Sequence, residues 1–247
     1  MPTFEKYHST NRVRCIIAGI SGSGKSTLLA SLANAGYRTC VVDLDGGLDI
    51  LDSYLTADGR KNLHYESISM ADPVAWTKAT NLTLNWKTPS EDLGRVDTWK
   101  EDSVLVIDSA TFWAETCQDH VLLSKGVKKD DVSWNIALRN VMHTYFEDQI
   151  ARLSMLKCNV ILNTHLKEIE NKSKQVRIAP EFFGKVLPDR IPKYFNDIYV
   201  LENRKLLTKG SDIYPFVKCS APQAVAEQEE PDLAAIFHKI VAYRNRT

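Results

Sequence analysis

The sequence predicts an α/β fold built on a mainly parallel sheet, on three observations. The apolar run Val13-Arg14-Cys15-Ile16-Ile17-Ala18 passes directly into Gly19-Ile20-Ser21-Gly22-Ser23-Gly24-Lys25-Ser26-Thr27, a complete G-x-x-x-x-G-K-[ST] phosphate-binding loop of the strand–loop–helix kind. A second apolar run, Val104-Leu105-Val106-Ile107, ends in Asp108, and a third, Val160-Ile161-Leu162, ends in Asn163-Thr164. Between these runs lie segments of helical period, the alternation that crossover helices on a parallel sheet produce.

Taken in order, the first strand is followed by a helix over 25–35, with Leu28, Leu29 and Leu32 on its buried side and Gly36 as its stop. Residues 38–45, Arg-Thr-Cys-Val-Val-Asp-Leu-Asp, form the second strand, ending at Gly46-Gly47. A third strand is expected over 62–69 and a helix carrying Trp76 over 73–84. Segment 85–102 is polar and contains Pro89 and Gly94, which reads as a surface excursion and not as a domain boundary. The Asp108 strand covers 103–109. A long amphipathic helix is expected over 132–156, with Trp134, Leu138, Val141, Met142, Tyr145 and Leu153 on one side, feeding the strand 159–164. Beyond Lys167 the pattern becomes hairpin-like, with a late strand over 214–218. An acidic stretch over 227–230 then precedes a last helix over 233–243.

At 247 residues, with no Gly/Ser linker or low-complexity stretch, the chain reads as one domain over 1–247. Net charge is zero, so a polyanion would have to be held by local basic patches and not by an overall field. Five scattered cysteines without metal-ligand spacing point to reduced core thiols. The polar N-terminus and the absence of a spanning apolar stretch lead to the expectation of a cytoplasmic protein without a membrane partner.

The loop residues Gly19 to Thr27 suit a nucleotide's phosphates, because glycine lets backbone N–H groups turn inward around them. Lys25 supplies a point charge to the outer phosphates and Ser26 a hydroxyl for Mg²⁺. A carboxylate carried out at the end of a buried strand makes Asp108 the second metal-side group. Hydrolysis further requires a group to orient water. Asp43 and Asp45 both qualify by position, and either also fits a strand-end turn.

The ordered set GISGSGKST, VVDLDGGLD, VLVIDSAT and VILNTH resembles the core of RecA-like ATPases, and most closely the phage-encoded RecA-like nucleotide-binding proteins, some of them grouped with Sak-type single-strand annealing proteins. The resemblance spans about 13–220, with a C-terminal helix at about 231–244 beyond it. Further matches are Asp92-Leu93-Gly94 to Trp99 and Gly184-Lys185-Val186-Leu187-Pro188 through Pro192-Lys193-Tyr194-Phe195-Asn196. It implies a RecA-like P-loop core with an antiparallel C-terminal extension, using ATP and Mg²⁺.

By that resemblance Asp45 is the catalytic carboxylate, one carbon shorter than the glutamate of RecA. Lys25 and Asp108 complete the catalytic set, and Ser26 with Asp108 holds the metal. The γ-phosphate sensor falls to Thr164 or His165. Single-stranded DNA is the implied partner, at two basic loops: Lys125, Lys128 and Lys129 in the first; Lys167, Lys172, Lys174, Arg177 and Lys185 in the second, with Phe182 and Phe183 nearby. A cation given to a neighbouring subunit's site matches Lys218, with Arg204, Lys205 and Lys209 competing, and implies a ring or filament of identical chains. The function implied is a DNA-dependent ATPase of phage recombination or replication, working beside other proteins of that process. The alternatives are a nucleotide-gated annealing module with little hydrolysis and, behind it, a small-molecule kinase.

Overall fold

The structure is a computed structural model that describes residues 11–127, 136–170 and 176–246. Strands β1 (Arg14–Ala18), β2 (Arg38–Asp43), β3 (Leu63–Ser67), β6 (Ser103–Asp108), β7 (Asn159–Thr164) and β10 (Asp197–Glu202) form the parallel part of an eight-stranded sheet ordered β12-β11-β10-β1-β7-β6-β2-β3. The last two strands, β11 (Lys205–Leu207) and β12 (Gln228–Glu229), join antiparallel at the β10 edge. The architecture expected from sequence, a mainly parallel α/β sheet with an antiparallel C-terminal extension, is borne out.

Two short hairpins stand apart from this sheet: β4 (Asn85–Lys87) with β5 (Asp92–Arg95), and β8 (Leu166–Glu170) with β9 (Val176–Pro180). Seven α-helices, α1 (Leu29–Asn34), α2 (Ala57–Asn62), α3 (Ala75–Leu82), α4 (Ala110–Ser124), α5 (Ile136–Met155), α6 (Leu187–Arg190) and α7 (Leu233–Arg244), and four 3₁₀ helices, Ser26–Leu28, Leu48–Ser53, Val96–Thr98 and Ile191–Tyr194, complete the described elements.

Strand alternation sorts the core into two layers. Ile16, Val42, Leu105, Ile107, Val160 and Leu162 point to one face and pack with Trp76 of α3, Trp113 of α4 and Phe146 of α5. Trp76 and Trp113 stack at 5.2 Å between centroids, an arrangement worth about 0.5–1.5 kcal/mol beyond the area buried. Cys15, Ile17, Val41, Val106 and Ile161 point to the other face, under α1 and α7. Asp43, Asp108 and Asn163 have the parity of that second set. Sequence periodicity alone therefore delivers three polar side chains to the face that carries the phosphate-binding loop's helix.

Several local expectations are revised. Segment 85–102 is polar on its outside only, since Trp86 and Trp99 are buried beneath it. Trp86 Nε1 donates to Glu91 Oε1 at 2.9 Å, and Arg38 lies 4.8 Å over the Trp99 ring. Burying two indoles outweighs the solvation of the polar residues between them. On α5 the buried line is Met142, Phe146, Ile150 and Leu153, while Tyr145 is 48% exposed, because it sits one residue, about 100° of helix turn, away from Phe146. Trp134, placed on that face by the sequence, lies outside the described residues. Residues 214–218 are not a strand; Lys218 makes a single antiparallel bridge to Ile198. All five cysteines are free and four are buried. No helix among the described residues is long and apolar enough to cross a membrane.

Candidate functional site

The C-terminal ends of β1, β7, β6 and β2 come out at one edge of the sheet, where a parallel α/β fold places its ligands. The phosphate-binding loop is tied there by Gly19 N–H, which donates to Thr164 O at 3.1 Å. A Cβ on Gly19 would lie 2.5 Å from Ser23 Oγ and 3.1 Å from Leu201 O, so a side chain there would force the loop and its neighbour to shift. Gly24 takes φ +99°, a conformation open to glycine alone, and Thr27 Oγ1 closes the turn by donating to Gly24 O at 2.6 Å.

Lys25 is buried, and its ammonium donates to Gly19 O at 3.0 Å and Ile20 O at 2.9 Å. Burial pushes its pKa below the usual lysine value, against the pull of Asp108 and Asp45. Ser26 Oγ donates to Asp108 Oδ2 at 2.7 Å. The expected metal pair is thus in direct contact across the sheet edge.

Burial raises the Asp108 carboxyl to about 6; hydrogen bonding by Ser26 and the Asn163 amide opposes this, and the nearby charges of Asp45 and Asp43 add to it. Asp108 Oδ1 has no hydrogen-bond partner of normal geometry, and neither does either end of the buried Asn163 amide. An unfilled carboxylate oxygen beside a serine hydroxyl is a hard, all-oxygen donor set, which suits Mg²⁺. Among the described residues no group of three His, Cys, Asp or Glu side chains is placed to hold a metal ion.

The two candidate carboxylates of the second strand separate cleanly. Asp43 is buried and occupied: Oδ2 accepts from Ser67 Oγ at 2.7 Å, and Oδ1 from Gly46 N at 2.8 Å and Asp45 N at 3.2 Å. Asp45 instead lines a cleft of about 780 Å³ together with Lys25, Ser26 and His165; Ile50 and Tyr54 form part of its apolar wall, and Arg204 also borders it.

His165 Nε2 stands 3.6 Å from Asp45 Oδ2. Thr164 contributes its carbonyl to the loop, and its hydroxyl has the parity of Leu162, on the α4 side. Asn163 and Thr111 were not singled out from sequence. For Asn163 the signal was available, a polar residue closing an apolar strand. For Thr111, buried in the first turn of α4, there was none.

The other predicted positions lie away from the cleft. Lys218 donates to Pro192 O at 3.0 Å. Lys167 is drawn to Phe182 O and Gly184 O, both at 2.9 Å, and Arg177 is paired with Asp189. Phe182 belongs to the core, and Phe183 stacks on His143 at 5.1 Å, so neither ring is a free stacking platform. Lys125 caps the C-terminus of α4 and is exposed. Lys128, Lys129, Lys172 and Lys174 lie outside the described residues.

A family model described as an AAA domain matches residues 11–199. No curated protein matches the chain. Among solved structures it is similar to a prototypical ATPase from the type III secretion system of pathogenic bacteria, at 17% identity and TM-score 0.47 over 77% of this chain and 52% of that one. It is also similar to EscN, an ATPase solved with its central stalk EscO from the type III secretion system of enteropathogenic E. coli, at 15% identity and TM-score 0.46 over 78% and 42%. A third is the RadB recombinase, at 13% identity and TM-score 0.42 over 78% of each chain. The matched region thus spans about half the length of the first two, 52% and 42%.

Proposed function

The chain belongs to the AAA-domain family, and on that footing we propose that it is a Mg²⁺-dependent ATPase acting on single-stranded DNA. One observation carries the nucleotide reading: a buried ammonium, Lys25, held by two loop carbonyls, lines a cleft together with Ser26, whose hydroxyl donates to Asp108 behind it. Phosphate oxygens would replace those carbonyls, with the amides of Gly19 to Thr27 around them. Ser26 and Asp108 would hold Mg²⁺, which screens phosphate charge when bound. Ile50 and Tyr54 offer an apolar wall for the base, and Asp45 faces the space where water would attack.

The DNA, the phage recombination or replication setting, the Sak-type grouping and the ring or filament rest on the sequence resemblance. Lys125 and Lys185 are candidate DNA contacts that stand exposed, and Lys218 is proposed as the cation lent to a neighbouring copy. Asp45, shorter than glutamate, favours a second reading in which ATP gates annealing with little turnover. Hydrolysis measured with and without single-stranded DNA tests both. Stimulated turnover supports the enzyme, and annealing without turnover supports the module. Lys25→Ala is expected to weaken ATP binding at least tenfold; unchanged affinity refutes the site.

A further inference from the structure

We propose that His165 is a second catalytic residue, which with Asp45 holds and activates the attacking water. The proposal rests on the reading that the cleft hydrolyses a nucleoside triphosphate. His165 follows β7 directly and lines the cleft. Its Nε2 is buried without a hydrogen bond and stands 3.6 Å from Asp45 Oδ2. That separation is too long for a direct hydrogen bond, yet one water oxygen can lie about 2.8 Å from both atoms. A buried, unsatisfied ring nitrogen facing a carboxylate across such a gap calls for a third partner.

The backbone that carries the ring is also held in place. His165 N donates to Thr111 Oγ1 at 3.0 Å, the Thr111 hydroxyl donates to Glu181 O at 2.9 Å, and Glu181 N donates to His165 O at 2.8 Å. Phe112 meets the imidazole edge-on at 5.6 Å. Thr111 and Phe112 lie in the first turn of α4, immediately after Asp108, so His165 is set relative to the metal-side carboxylate. Thr111 is a positioning residue in this arrangement.

The charged groups around the ring are Lys25, Asp45 and Glu181. Burial and Lys25 lower the His165 pKa against the two carboxylates, which leaves a neutral imidazole able to accept a proton at neutral pH. In the step itself, the water oxygen bonds to the γ-phosphorus while the bond from that phosphorus to the β–γ bridging oxygen breaks. The electron pair stays on the departing diphosphate. One water proton passes to Nε2 and then to solvent, while Asp45 accepts the hydrogen bond from the other. The second group makes up for the carbon that aspartate lacks.

The test is a double-mutant cycle on the full chain. It compares wild type, Asp45→Asn, His165→Ala and the double variant, with His165→Gln as the variant that keeps size and polarity. Steady-state kcat and KM are read beside the affinities for fluorescent ATP and ADP. Each single variant should lose on the order of 10²-fold in kcat with affinities within about threefold, and the double variant should fall little further. Thr111→Ser should keep the rate that Thr111→Val loses. Unchanged kcat in both His165 variants, additive losses, or a selective loss of ATP over ADP affinity, the mark of a γ-phosphate contact, would each overturn the proposal. A wild-type protein that binds ATP and never turns it over would overturn the hydrolytic reading and this proposal with it.

Discussion

Asp43 and Asp108 sit opposite one another in the β2–β6 register, both buried, and their hydrogen bonds give them different roles. Asp43 has both oxygens engaged and anchors the turn that presents Asp45. Removing it takes the acceptor from Ser67 Oγ and Gly46 N, while Asp45 N keeps Asp108 O at 3.2 Å, so Asp43→Ala is expected to cost roughly 2–4 kcal/mol in urea unfolding, whereas Asp45→Ala stays within about 0.5 kcal/mol. Asp108 is the reverse case, a group whose ionisation burdens the fold. Its carboxyl is raised to about 6, above the unfolded value, so the native state binds more protons between about pH 4 and pH 6 and stability falls as pH rises through that window. The full burden at pH 7 is about 3 kcal/mol. Asp108→Asn should therefore raise the melting temperature of the nucleotide-free protein at pH 7, flatten its pH dependence and abolish Mg²⁺-dependent ATP binding. A buried carboxylate whose charge works against the fold resists prediction from propensity, which is why the chain's motifs located Asp108 while saying nothing of its energetic state.

Between elements, α5 is fastened to the 187–194 segment by one carboxylate. Glu147 accepts from Lys193 at 2.7 Å, Tyr194 at 3.0 Å and Arg190 at 3.3 Å. Burial pushes the Glu147 pKa up, but the three donors together carry it below the usual value. A depressed carboxylate stabilises above its unfolded pKa and loses that contribution as pH falls through the folded one. Glu147→Gln should cost about 1 kcal/mol at pH 7, and the gap from wild type should close below about pH 4, as read by urea unfolding at both values. No sequence signal announces such a clamp, because its members are 43 to 47 positions apart. What was legible follows local rules: the loop motif fixed β1 and its helix, and apolar runs fixed β6 and β7. Helical periodicity found α5 but admitted Tyr145, since a window of three- and four-residue spacings does not say which side of the stripe the core takes. The β4–β5 hairpin was read by its polar majority, when two tryptophans decide where it packs. At the site, Lys25, Ser26, Asp45 and Asp108 stood at motif positions; Asn163 carried a signal, a polar residue closing an apolar strand, while Thr111 became visible only when helix docking brought it beside those residues.

Across the whole molecule, the helix of the phosphate-binding loop depends on a part of the chain outside the matched family region, which ends at residue 199. Six residues of α1 form too short a helix to persist alone. α7 covers it: Ile236, Phe237 and Ile240 are buried in the same layer as Leu29 and Leu32, and Ser31 Oγ accepts from Leu233 N at 3.0 Å. At its far end Arg244 donates to Arg12 O at 2.7 Å and to Ser220 Oγ at 2.8 Å, tying the helix back to the start of β1 and to the loop beside β10. Phe237 also meets Tyr37 edge-on at 6.0 Å. Its truncation in Phe237→Ala should cost about 3–5 kcal/mol, a large share of the roughly 5–15 kcal/mol that holds a folded domain. Because α1 carries the loop, that loss is coupled to the ligand. Saturating Mg²⁺ and ATP at about 100 times Kd return about 2.7 kcal/mol to any form that binds them only when folded. The variant should therefore melt well below wild type without nucleotide and regain several degrees with it, while the same variant carrying Lys25→Ala regains nothing. Thermal melts of the four combinations decide the point. Recovery that persists without Lys25 would mean that the nucleotide stabilises the protein elsewhere than on this loop.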